Sequence, residues 1–124
     1  MKKNVDTIVK TALDTDDDEV TVRINGIDTK VFIFRKKKGL LLIADLTIPV
    51  LDEWLCSAKL EVNKINRDHL GKMRVCVGDY LDIVRVEAYA DKKKESVIEA
   101  AESLVDFIQS NRDELAEMFR TATS

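Results

Sequence analysis

Two cysteines, one proline, four glycines and one histidine in 124 residues leave little material for several common chemistries. Cys56 and Cys76 stand far apart, each inside an apolar pattern, which predicts reduced, shielded thiols in a reducing compartment. Two cysteines without a second pair cannot close a zinc site. His69 has no partner histidine, so no facial metal triad is expected; at a helix end it reads as a surface or capping group. Gly26, Gly39, Gly71 and Gly78 are dispersed between elements, so none belongs to a phosphate-cradling loop. No serine, cysteine or threonine sits in a nucleophile motif. These absences lower the odds of an enzyme without excluding one, because catalytic groups converge from distant positions. The expectation is a non-enzyme with no cofactor and no metal.

Long apolar runs are also missing. The longest, Leu40 to Ala44, falls far short of the roughly 20 residues that span a bilayer. The opening Met1-Lys2-Lys3-Asn4-Val5-Asp6 has no long apolar segment after its lysines, so a signal peptide is not expected. A cytoplasmic protein follows. Charge of one sign is scarce too: 20 basic against 23 acidic residues give −3. That balance implies solubility rather than strong attraction to phosphate backbones or anionic lipid.

What is present is 45% hydrophobic and 35% charged residues, enough to build one core across 1–124 as a single domain. Val5, Ile8, Val9, Ala12 and Leu13 have helical spacing. Val20, Val22 and Ile24 then alternate with polar residues, and Asn25-Gly26 is a two-residue hairpin signal. That turn pairs Ile24 with Ile27, Arg23 with Asp28 and Val20 with Val31. Residues 27–36 form the second strand, and Lys36-Lys37-Lys38-Gly39 turns into a third, Leu40 to Leu46. Apolar on both faces, this third strand is expected to be central and covered on both sides. Pro49 is expected to open a helix carrying Leu51, Leu55, Ala58, Val62 and Ile65, capped near Gly71. Met73 to Val77 is a fourth strand. Tyr80 to Ala90 is a fifth, with a bulge near Ile83–Val84. Asp91 is the expected N-cap of a last helix carrying Val97, Ala101, Leu104, Ile108, Leu115 and Phe119. Ser110-Asn111-Arg112-Asp113 holds no apolar residue and is expected to kink or split it. The fold class is α+β, in the order α-β-β-β-α-β-β-α, with a mainly antiparallel sheet packed with helices.

Leu60-Glu61-Val62-Asn63-Lys64-Ile65-Asn66 near a helix end, Gly71-Lys72-Met73-Arg74-Val75 opening a hairpin, and a long acidic final helix lie within the stretch from Trp54 to Phe119. That stretch resembles the YbjN-like family of bacterial proteins, described as sensory-transduction regulators. Asn63 and Asn66 match its helix-end pattern. The resemblance implies the fold of type III secretion chaperones, which share the element order, are typically dimers, bind protein segments and have no catalytic site.

Three further motifs carry weaker signals. Asp14, Asp16 and Asp18 have the spacing of a calcium loop, but Glu19 and Asn25 stand where such a loop needs glycine and glutamate, so a solvated turn is expected. Lys36-Lys37-Lys38 and Lys92-Lys93-Lys94 are basic triplets without interleaved stacking aromatics, and nucleic acid is not the expected partner. Lysines do not suit a helix N-terminus, so the second triplet is expected to lie partly before the helix. Phe32 and Phe34 alternate out of phase with Val31 and Ile33. Either a helix covers them or they form an exposed apolar strip for dimerisation or partner binding. Leu115, Met118 and Phe119 outrun the domain in the same sense. Phe32, Phe34, Leu115, Met118 and Phe119 are therefore the candidate partner or dimer surface. The function expected is a non-catalytic protein-binding module, chaperone-like or a regulatory adaptor, working as a homodimer with a protein or peptide partner. The alternatives are a small enzyme using scattered carboxylates, which a carboxyl of strongly raised pKa would favour, and a nucleic-acid-associated factor using the lysines, which steep salt dependence would favour.

Overall fold

The computed structural model describes residues 2–49, 73–78 and 81–123, with side-chain surroundings for 2–48, 75 and 84–117. The expected middle helix, Cys56, His69 and Gly71 lie outside the described residues, as do the side chains of Cys76, Met118 and Phe119.

Helix α1 spans Lys3–Asp14 and buries Val5, Ile8, Val9 and Ala12, one face at three- and four-residue spacing. Its C-terminal carbonyls are held by Arg35, whose Nη2 donates to Thr11 O at 3.1 Å and Thr15 O at 2.9 Å. A cation there also meets the negative end of the helix dipole.

Strand β1 (Glu19–Ile24) and strand β2 (Ile27–Lys36) form the expected hairpin. Asn25 has φ 54° and Gly26 φ 75°, the left-handed pair that a two-residue turn of this kind requires. Ile24 pairs with Ile27, Arg23 with Asp28 and Val20 with Val31. Arg23 Nη1 lies 3.2 Å from Asp28 Oδ1.

Strands β3 (Gly39–Pro49), β4 (Met73–Gly78) and β5 (Leu81–Asp91) complete an antiparallel sheet of order β1-β2-β3-β5-β4, and helix α2 runs Lys94–Thr123. The α+β class and its mainly antiparallel sheet are thus as expected. In the β4–β5 ladder, Val77 faces Val84 and Gly78 faces Leu81, so β5 has two extra residues, at Asp82–Ile83, beside the bulge that the alternation predicts.

Helices α1 and α2 pack on one sheet face, the inner one. There Val22, Val31, Ile33, Leu42, Ala44, Val86 and Ala88 meet Ile8, Val97, Ala101, Leu104 and Ile108 in a continuous core. The alternation of strand side chains sends the remaining residues to the outer face.

Five details differ from sequence expectation. Pro49 does not open a helix. It ends β3, opposite Ile83, beyond a register shift at Asp45–Pro49, a strand end where a missing N–H costs no ladder bond. Strand β3 is central, but of its described leucine, isoleucine and alanine side chains only Leu40, Leu42, Ala44, Leu46 and Ile48 are buried; Leu41 and Ile43 remain half-buried on the other face. Asp91 is the last residue of β5, paired with Gly39, not an N-cap. Its N–H donates to Ser96 Oγ at 2.9 Å, and Lys92 and Lys93 precede the helix, as the dipole argument expects. Helix α2 is unbroken through Ser110–Asp113, because Arg112 turns inward. Leu115, one turn further along the same face, is 2% exposed and belongs to the core.

Candidate protein-binding face

The outer face is built by register. Phe32 faces Ile43, which faces Glu87; Phe34 faces Leu41, which faces Tyr89. Two rows across three strands therefore set five apolar or aromatic side chains together. Phe34 is 50% exposed, and Phe32, Leu41, Ile43 and Tyr89 are partly so. Neither described helix lies on this face. Glu19 and Glu87 end the Phe32 row, and Lys30, Asp45 and Arg85 form the next row along, so charged groups border the patch. An apolar centre with a charged rim is the usual anatomy of a protein interface.

Tyr89 is placed by a glycine. A Cβ on Gly39 would collide with Ala90 O and lie 2.6 Å from the Tyr89 hydroxyl. The ring thus occupies the space that a side chain at position 39 would take, and its hydroxyl reaches Lys38 O at 3.5 Å. An aromatic laid over a cross-strand glycine is a known way of fixing sheet register.

Beneath this face, β3 is tied to α2 by the buried Arg112. Its Nη1 donates to Thr29 Oγ1 at 2.8 Å and its Nη2 to Leu46 O at 3.0 Å. Burial lowers the Arg112 pKa from its ordinary value, while the charges of Asp113 and Asp45 act in the opposite direction. The bond to Leu46 O falls where β3 leaves its register. There Thr47 has φ 54°, a strained value for a β-branched residue. Its N–H donates to Asp45 Oδ1 at 2.7 Å and its hydroxyl to Leu46 O at 2.6 Å.

Phe32 and Phe34 thus come together with Leu41 and Ile43, which the apolar run on both faces of β3 predicts to be covered, and with Tyr89, which no motif marks. The signal for them is the two-residue Lys37–Lys38 turn, which fixes Phe34 opposite Leu41. Leu115 is not part of the face. The Gly39–Asp91 pair brings the two lysine triplets to one end of the sheet, all six exposed. Asp18 pairs with Arg35 at 3.3 Å. Among the described residues, no three His, Cys, Asp or Glu side chains converge as a metal site needs, and no helix is long and apolar enough to cross a membrane.

Comparison places the fold. The chain is similar to a chain of the heterodimeric ExoU–SpcU complex from the type III secretion system of Pseudomonas aeruginosa. The TM-score is 0.59 at 15% identity over 86% of each chain. The likeness is one of fold, and it agrees with the chaperone-like architecture that the resemblance implied. No family model and no curated protein sequence matches the chain, the YbjN-like family included.

Proposed function

We propose that this chain is a non-catalytic, cytoplasmic protein-binding module, a chaperone-like or regulatory adaptor that works as a homodimer and receives a protein partner on its outer sheet face. The observation that carries this reading is Phe34, half exposed beside Phe32, Leu41, Ile43 and Tyr89 within a charged rim. An exposed apolar patch bounded by charge is a mark of a partner site. The structural likeness to a chain from a two-protein complex supports it in kind.

The test is affinity capture from the source organism, read by mass spectrometry, with the wild-type chain and Phe34→Asp in parallel. A protein captured by the wild type and lost with the variant, at unchanged circular dichroism, is the expected result. Equal capture by both chains would refute the assignment of the face. Retention of nucleic acid that falls steeply with salt would turn the reading to the lysine triplets.

A further inference from the structure

Strand β1 ends the sheet among the described strands. The direction of its main-chain groups follows from two observations. Ile33 N–H donates to Asp18 O at 2.8 Å, and the hairpin closes on the pair Ile24–Ile27. Main-chain groups in an antiparallel ladder alternate in direction from residue to residue. Val20, Val22 and Ile24 therefore bond to β2, while Glu19, Thr21 and Arg23 turn N–H and C=O away from the sheet. Of these, the Arg23 carbonyl accepts Asn4 Nδ2 at 3.1 Å. A hollow of about 430 Å³ lies along this edge, between Thr21–Arg23 and the first turn of α1. The side chains of Glu19, Thr21 and Arg23 are all exposed.

We propose that β1 pairs antiparallel with β1 of a second copy of this chain, about a two-fold axis at Thr21. The charges select both the partner and the register. Centred on Thr21, each Glu19 stands directly opposite Arg23 of the other copy, at both ends of the six-residue strand. Centring on Glu19 or on Arg23 would set like charges against each other. Opposite charges facing across a ladder stabilise it, and like charges destabilise it. Each Arg23 is already beside Asp28 on its other flank, so charge would alternate Asp28, Arg23, Glu19 across the joint. The Arg23 carbonyl has a second lone pair for the incoming Glu19 N–H, and the hollow gives the incoming strand room at Thr21. The axis is perpendicular to the sheet, so both copies present their phenylalanine faces on the same side.

The inference rests on the homodimeric reading but fails separately from it. Sedimentation equilibrium of the full chain at tens of micromolar should give twice 14.1 kDa. Glu19→Arg and Arg23→Glu should each weaken the dimer about tenfold or more, since each turns two attractive facings into repulsive ones. An equimolar mixture of the two variants should restore it, because the arginine introduced at position 19 of one variant then faces the glutamate introduced at position 23 of the other. Thr21→Pro, which removes the N–H at the axis and no bond to β2, should leave a folded monomer by circular dichroism. A wild-type monomer overturns both the homodimer and this interface. A dimer that all three β1 variants leave intact, and that Phe34→Asp dissociates, overturns this interface alone.

Discussion

Arg112 is a charged side chain, 4% exposed, beneath the middle of the sheet, held by a hydroxyl and a carbonyl. Removing it leaves Leu46 O without this donor and Thr29, itself fully buried, with an unfilled acceptor. A buried polar group stripped of its partner costs about 1–3 kcal/mol, and the vacated volume adds to that. Arg112→Ala should therefore lose roughly 2–4 kcal/mol in urea unfolding. Arg112→Lys should recover only part, because one ammonium cannot span Thr29 and Leu46 as a planar fork does. The position is only half legible in the sequence. The stripe Val97, Ala101, Leu104, Ile108, Leu115 skips one turn after Ile108, and strict four–three alternation would fill it with Asn111, whereas the structure buries Arg112 and leaves Asn111 half-buried. The side chain misleads because polarity alone predicts an outward residue. Only the partners supplied by β2 and β3, which no single-sequence pattern displays, make the inward choice favourable.

At the scale of the element, the hairpins are the most legible parts. Asn25-Gly26 fixes turn length, and turn length fixes every pairing down to Val20–Val31. Strand ends are less so. Pro49 and Asp91 both carry helix-start chemistry, yet both end strands, because register with β5 and β3 outweighs local preference. Gly39 is a case where spacing says turn and the structure adds a steric reason. Gly39→Ala should cost about 1–3 kcal/mol by thermal unfolding, since the new methyl must displace backbone at Ala90 or the Tyr89 ring. Tyr89→Phe, which keeps the ring and gives up only a 3.5 Å contact, should change stability by less than about 1 kcal/mol. The outer face is half legible: the phase of Phe32 and Phe34 marks them, while Leu41 and Ile43 hide in a run that reads as covered.

At the scale of the whole molecule, the N-terminal end of α1 and the first hairpin both bond to the middle of α2. Lys2 Nζ lies 3.0 Å from Asp106 Oδ1 and 2.7 Å from Gln109 Oε1, and Asn25 Nδ2 donates to Gln109 O at 2.8 Å. The first helix, the first hairpin and the last helix also share one core, in which Ile8, Ile24, Val31, Leu104 and Ile108 are all buried. Unfolding should be a single cooperative transition, with far-ultraviolet circular dichroism and near-ultraviolet tyrosine signals superimposable against urea. Two separated transitions would divide the domain. The same fastening has a consequence in time. Helix α2 leaves the ribosome after every strand it covers, so Leu42 and Val86 on the two strands it packs against most wait in water until the last thirty described positions arrive. Contacts spanning about a hundred residues are slow to close, and a sheet with one bare apolar face is prone to stick to its neighbours. A nascent chain stopped before Lys94 should accordingly enter inclusion bodies, whatever the stability of the finished protein.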